Sequence, residues 1–557
     1  MNKSNIYKKV VSAAAFVFAL SFISAKQSAQ IDTDPQRSFK RSRDTVYSGE
    51  GPAKRDETAA QDKQDKTIAL NFAANLDTER APAEIRFSPL EIGFAAGSAS
   101  GSSADFTADS LESGGETAPK KHYLTALSVM MLDNFVISGW NRFVGNRSWA
   151  KVNWESTRYF YEHEISWDTD WYWTNFVLHP YQGGLYYMAS RASNLNQLES
   201  FGVTVLGSAI WEWFFERNSP SINDMVYTTV GAFAVGEMLY RLSVEADEIS
   251  RLLSAALNPN RLLTDIMNGE KQRGSTGNIR ELSFKLGAGT ARTYTNFSSD
   301  FGDDTEIFPA FFSPEIHVVY NDPYGWDSNV PFGQFELDIG GAVGVGSGKG
   351  ASSVEEKLMY DIHITSSGMM FSRFIDLGEN KDTSVGMIFD YDFIWHSFTE
   401  LSSLALGAAF KQRIRNPGGS KIEWQLHADA LILGTTDYYY YRREKVPPPD
   451  ETFRDYNYTV GNETVLKFKY TSKNGFILDT DFHGYAMYVF NHQLQDNMFT
   501  GWEMIGIGTV NYEIPVSPKL NIGIGNQIYA KKTFYSDIPE IFQAVYTGSL
   551  FARLKLK

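Results

Sequence analysis

The stretch Val385-Gly386-Met387-Ile388-Phe389-Asp390-Tyr391-Asp392-Phe393-Ile394-Trp395 decides the fold. Val385, Met387, Phe389, Tyr391, Phe393 and Trp395 fall on one side of an extended chain. Gly386, Ile388, Asp390, Asp392 and Ile394 fall on the other, because successive strand side chains point to opposite faces. One face is greasy and the other carries carboxylates. The same alternation recurs on both sides of this stretch. Upstream, Phe335, Leu337, Ile339 and Val343 alternate with Gln334, Glu336, Asp338 and Ala342. Downstream, Ile422, Trp424, Leu426, Ala428 and Ala430 alternate with Lys421, Glu423, Gln425, His427 and Asp429.

Working outward, period two holds in Ile279 to Thr290, Leu358 to Thr365, Leu404 to Arg413, Phe476 to Phe490, Trp502 to Ile514 and Leu520 to Ile528. It ends with Tyr546 to Leu556. Segments of about 10 alternating residues with aromatics near their ends are what a transmembrane β-barrel requires. Trp395, Trp502, Tyr470 and Tyr488-Val489-Phe490 suit interfacial girdles. Short connections (Ser472 to Gly475, Pro515 to Pro518) alternate with long polar ones (Thr435 to Asp455, Lys531 to Phe542). The expected architecture is α+β: a helical N-terminal domain followed by an antiparallel transmembrane β-barrel of about 12 strands. The competing reading is a soluble sandwich or lipocalin-like barrel with its apolar face inward. Strands in such folds usually run about 5 to 6 residues, shorter than the runs here. The terminal Leu-Lys, in place of an aromatic, weighs slightly the other way.

The N-terminus fits export. Lys3, Lys8 and Lys9 precede the apolar run Val10 to Ile23, and Ser24-Ala25 supplies small residues. That order predicts a signal peptide over residues 1–25, and export together with the expected barrel predicts a bacterial outer-membrane location. Residues 26–120 are polar and rich in Ser, Ala, Gly and Asp, the composition of a disordered or linker segment. The chain of 557 residues carries a formal net charge of -15 and no cysteine. The charge argues against a nucleic-acid partner. The missing cysteine excludes disulfides, thiolate metal sites and a lipoprotein anchor.

Between 121 and 257 the period becomes helical. Leu124 to Phe135, Phe201 to Phe215 and Met225 to Leu242 are helix candidates. The second should end near Asn218-Ser219-Pro220, with Ser221-Ile222-Asn223-Asp224 capping the third. Glu212, Glu216 and Glu237 interrupt these runs, so they read as helices buried against protein rather than free membrane spans.

The densest chemistry lies here: Trp167-Asp168-Thr169-Asp170, then Asn175 to Gly183 containing His179-Pro180-Tyr181, then Arg191, Ser208, Trp211-Glu212, Glu216, Pro220 to Asp224, and Gly236-Glu237 to Tyr240-Arg241. In order, the W-D-x-D, N-x-x-x-H-P-Y-x-G, S-x-x-W-E, P-S-x-N-D and G-E-x-x-Y-R elements resemble a bacterial envelope family, the domain of unknown function 3943. The likeness covers roughly residues 130 to 245. It implies an exported protein, often with a β-rich C-terminal part, and no established activity.

Read physically, Glu212 and Glu216 stand at i, i+4 and should repel unless Arg191, Arg217, Arg241, a proton or a metal lies between them. His179 before Pro180 belongs on an extended segment or at a helix start. His179, Glu212, Glu216 and Glu237, with Asp168, Asp170 and Asp224 nearby, could hold a divalent Mn, Fe or Zn or act in acid-base hydrolysis. The alternative is a buried ion-pair network in which Arg191 and Arg241 neutralise the glutamates and His179 caps a backbone group, which buried charges require in any case. No cofactor follows from this beyond that metal. No H-E-x-x-H or G-x-S-x-G motif is present, and Ser208 reads as a small packing residue. The aromatics Trp167, Trp171, Tyr172, Trp173, Tyr181, Tyr186 and Tyr187 suit either a membrane-water boundary or a core.

Three functions are compatible. The first is a non-enzymatic barrel with a helical plug or periplasmic platform, serving transport or envelope organisation, with outer-membrane lipid and a small solute or lipid as partners. The second is an outer-membrane enzyme acting on lipid or lipopolysaccharide. The third is an adhesion protein using long loops around Asp437-Tyr438-Tyr439-Tyr440-Tyr441.

Overall fold

In the computed structural model, twelve antiparallel strands close on themselves in sequence order, with β1 hydrogen-bonded to β12. The structure describes residues 119–557 apart from 159–164, 169, 272–273, 275, 298–302, 326, 347–357, 438–455, 492–499 and 537–539. The expected leader over 1–25, all but the last two residues of the expected linker over 26–120, and the Tyr-rich stretch 438–441 lie outside these residues.

The strands are β1 (Ile279–Phe297), β2 (Asp303–Tyr320), β3 (Phe335–Val345), β4 (Leu358–Phe374), β5 (Lys381–His396) and β6 (Thr399–Arg415). They continue as β7 (Lys421–Asp437), β8 (Tyr456–Thr471), β9 (Ile477–Asn491), β10 (Gly501–Ser517), β11 (Leu520–Tyr535) and β12 (Ile541–Lys555). Most run 15 to 19 residues, so they are far longer than sandwich strands. Lys531 to Phe542, read above as a long loop, is mostly the ends of β11 and β12.

Which face points inward is settled by contacts between strands that are not neighbours. Glu336 of β3 meets Lys467 of β8 at 3.1 Å and Gln425 of β7 at 2.7 Å. Ser403 of β6 bonds Glu463 of β8, and Tyr485 of β9 bonds Asp392 of β5. Such pairs can meet only across a lumen. The carboxylate-bearing face is therefore inside. A second layer of Phe308, Phe311, Phe398, Leu401, Met487, Ile505 and Tyr529 fills the lumen toward the end where β1 and β2 connect. On the outside, Met504, Tyr512, Ile514, Ile522, Ile524, Ile528 and Leu550 are exposed. Charge inward and grease outward is the arrangement that lipid demands.

Ahead of the barrel come α1 (Tyr123–Gly139), α2 (Trp154–Arg158), α3 (His179–Ala192), α4 (Gln197–Phe214), α5 (Ile222–Val226), α6 (Ala232–Asp247), α7 (Arg251–Leu257) and α8 (Asn260–Asn268). Single π turns extend α1, precede α3 and join α5 to α6. Helix thus continues well past residue 257. Asn196 and Glu199 form a capping box at α4, and Ser221 caps α5 by accepting from the Asp224 amide.

The bundle packs on the outer wall of the barrel. Tyr172, Phe176, Tyr227 and Met238 share one core with Tyr391, Phe393, Leu404, Leu433, Tyr456, Tyr458, Phe335 and Tyr320. Those strand residues have the opposite parity to Asp390, Asp392 and Glu336, so they face out. The expectation of a plug or a platform beneath the barrel therefore gives way to a bundle flanking the wall. The reason lies in the pattern: several outward positions on β3 to β8 are large aromatics, whose rings find stacked and edge-to-face partners on the bundle that lipid chains do not offer. Trp395 and Phe490, read above as girdle residues, are covered by Trp173 and Trp167.

Candidate functional site

The polar residues singled out in the helical region separate into two groups. In the first, Glu237 on α6 is fully buried and clamped by two guanidinium groups. Arg191 on α3 approaches through Nε at 2.9 Å, and Arg241, one turn along α6, through Nη2 at 2.8 Å. Arg191 also donates to the Leu195 carbonyl and stacks over the Tyr240 ring. A buried carboxylate matched this closely is stable only as a set, since removing one partner strands the others.

The approach of α3 to α6 that makes this clamp depends on Gly183. A Cβ there would sit 1.8 Å from the Thr228 carbonyl oxygen and 2.7 Å from the Ala232 Cβ. Gly236 likewise faces Gly184 and Tyr187. Small residues let two helix backbones come close.

The second group lies where the chain crosses from the 165–175 segment to α5. The Asp168 carboxylate accepts from the Nδ2 groups of both Asn175 (2.7 Å) and Asn223 (2.8 Å). Asn223 Nδ2 also reaches Asp224 Oδ1, and the Asp168 amide donates to Asn223 Oδ1. Glu212 Oε2 accepts from the Ser221 amide at 3.0 Å. His179 lies where the π turn Thr174–Leu178 runs into α3, with helical backbone (φ -64°, ψ -49°) in spite of Pro180, so the expected extended segment or helix start gives way to a place inside a continuous helical rod. Its Nδ1 is 3.2 Å from Thr228 Oγ1 and its Nε2 3.5 Å from Asp224. Asn175 ties the group to the barrel by donating to the Tyr456 hydroxyl, which in turn donates to the Asp170 carbonyl.

Glu212 and Glu216 go to different partners. Glu216, just beyond α4, accepts from Trp211 Nε1 at 2.7 Å. Of the arginines expected between the two glutamates, Arg191 and Arg241 instead clamp Glu237, and Arg217 is exposed. His179 meets side chains rather than capping a backbone group. Ser208 is buried in α4, as a packing residue would be. Of the aromatics, Tyr172 and Trp173 dock on Phe393, Trp167 docks on Tyr458, and Tyr186 and Tyr187 lie in the bundle core.

Single-strand alternation flags inward carboxylates but not the lumen network they build. Lys531 joins Asp437 and Glu503, Arg553 joins Glu513, and Lys467 and Lys411 both approach Glu336. Lys467 and Lys411 reach Glu336 from β8 and β6, and Lys531 reaches Asp437 of β7 from β11, so these three pairs cross the lumen and nothing short of the barrel register identifies them. Lys531 to Glu503 links neighbouring strands, and Arg553 to Glu513 links strands one apart along the wall.

Residues 164–263 match the family model described as Domain of unknown function (DUF3943), the segment that carries both polar groups. No curated protein matches the sequence. Among solved structures, the chain is similar to the transport unit of the autotransporter AIDA-I from Escherichia coli at 12% identity. That match covers 49% of this chain and 90% of that one, with a TM-score of 0.25. A Pseudomonas aeruginosa FadL homologue shows 8% identity, 50% and 91% coverage and a TM-score of 0.24. The COG4313 outer membrane channel from Pseudomonas putida F1 shows 10% identity, 49% and 95% coverage and a TM-score of 0.27. The class defined here, a twelve-strand barrel preceded by helices, rests on the chain's own strand closure.

Proposed function

We propose that this is an outer-membrane protein whose barrel anchors a helical bundle standing in the bilayer beside it, and that it organises the envelope rather than conducting solutes through an open pore. The observation that carries this reading is the docking of Tyr172, Phe176 and Tyr227 on outward-facing Tyr391, Phe393, Tyr456 and Tyr458. In a membrane, that wall belongs to the hydrocarbon. No described helix is by itself long and apolar enough to cross a membrane. The bundle does not need one, because the barrel covers one flank and the polar groups are paired inside.

Its rods, counted with their π turns, span roughly 25–40 Å at 1.5 Å per residue, matching a hydrocarbon core of about 30 Å. Leu124, Phe135 and Phe143 on the α1 rod and Leu206 on α4 remain exposed, which makes lipid the ligand class that this surface favours. Lys120 and Lys121 before α1, and Arg142 and Arg147 after it, are placed to reach the two interfaces.

The lumen supports the non-conducting half of the proposal, since ion pairs and an aromatic layer fill it. In planar bilayers, purified protein should give no discrete conductance steps. A deletion strain should leak bulky dyes and detergents while its rates of small-solute uptake stay unchanged. A stable open channel, or selective loss of uptake of one solute, would overturn the reading.

A further inference from the structure

We propose that the barrel lumen holds a divalent first-row transition-metal ion at Asp390, His427 and Asp429. Asp390 comes from β5, and His427 and Asp429 come from β7, two strands away in the barrel. One donor atom from each lies within 4.8 Å of one from each of the others. All three side chains are almost wholly buried.

The second observation is what the donors lack. His427 Nδ1 lies 3.1 Å from Asp390 Oδ2, but His427 Nε2 has no hydrogen-bond partner. Nor has Asp390 Oδ1, nor either oxygen of Asp429, apart from the approach of these two carboxyl groups to each other. Buried polar atoms are nearly always satisfied, and an unpaired buried carboxylate is among the costliest groups to leave so. Lysines share the lumen but are engaged elsewhere: Lys411 bonds Gln334, and Lys467 bonds Glu336. Asp392, Glu463 and His483 form a second such trio, in which Glu463 Oε1 has no hydrogen bond but lies 3.6 Å from His483 Nδ1, so the acidic excess extends along the wall.

A cation of charge two would take one donor atom from each of Asp390, His427 and Asp429. Two carboxylate oxygens and an imidazole nitrogen, in a chain without cysteine, favour Mn, Fe, Co, Ni or Zn over soft ions. A ligating imidazole commonly leans its other nitrogen on a carboxylate, which would fix the ring.

The test uses the full chain in detergent, stripped with a chelator. It is then loaded with Zn2+ or Mn2+, both in the folded state and during refolding. Elemental analysis should find about one ion per chain for at least one probe, retained through gel filtration. Asp429→Asn and His427→Gln should each weaken binding by at least about tenfold, while Glu463→Gln leaves the first ion in place. A heat-dependent gel shift reports whether each variant is folded. Should both variants fail to fold, Mn2+-loaded wild type and His483→Gln decide by electron spin echo. Nitrogen modulation in both supports the site, and its absence from either overturns it. Folded wild type that retains neither ion under either loading overturns the proposal, as the shared proton of an acid pair then explains the cluster. Binding lost with Glu463→Gln but kept with Asp429→Asn overturns it in favour of the second trio.

Discussion

At the scale of single residues, the bundle is held by groups that tolerate no substitution by halves. Glu237 sits between two arginines with none of its surface exposed. Glu237→Ala leaves two guanidinium groups buried without a counter-charge, and a loss of about 3–5 kcal/mol is expected from denaturant unfolding. Gly183→Ala drives a methyl group into the Thr228 carbonyl, and about 1–3 kcal/mol should be lost through forced separation of α3 and α6. Gly202, in mid-α4, has nothing within 4 Å of its would-be Cβ. Gly202→Ala should therefore be neutral or stabilise by up to about 1 kcal/mol, through helix propensity alone. Equal effects at the two glycines would remove the close-approach argument.

At the scale of elements, the junction of α6, α7 and α8 has a defined pH response. Asp247 ends α6 beside Lys271 at 2.8 Å, Arg251 at 3.3 Å and Arg261 at 3.4 Å. Burial is the largest influence and pushes its carboxyl up, but the three cations together hold it below the usual range. A depressed folded-state value adds stability above the unfolded value near 4, and that stability is lost as pH falls through the folded value. Hydrogen exchange in α7 and α8 should accelerate below about pH 4, and Asp247→Asn should remove that dependence. Unchanged acid sensitivity in the variant would contradict it.

Sequence periodicity made most strands legible because each needs only its own alternation. The segments quoted at the outset cover ten of the twelve strands. The other two, β2 and β8, carry breaks: Pro309 and Pro314 in β2, and Gly461 with the register shift between Leu431 and Gly434 opposite β8. The cap at Ser221 was legible for the same local reason, whereas the capping box of Asn196 and Glu199 was not read. The split of the polar residues into a Glu237 clamp and an Asp168–Asp224 cluster was not, because i, i+4 spacing says who is on a face and not what that face meets. Asp390, His427 and Asp429 were visible as inward residues, but their convergence depends on register across β5, β6 and β7.

At the scale of the whole molecule, the account rests on the bundle standing outside the barrel and within the bilayer. Docking aromatics such as Phe393, which meets Tyr172 and Trp173, should lose about 0.5–1.5 kcal/mol per ring pair when truncated to alanine, read as loss of bundle protection with the barrel intact. Because the chain has no cysteine, single labelling sites can be introduced without a background. The decisive measurement is spin-label accessibility at Phe135→Cys and Leu206→Cys in reconstituted vesicles. Strong relaxation by oxygen with little by a water-soluble nickel chelate is the result expected for side chains in hydrocarbon. Relaxation dominated by the nickel chelate at both positions would place the bundle in water and contradict the account.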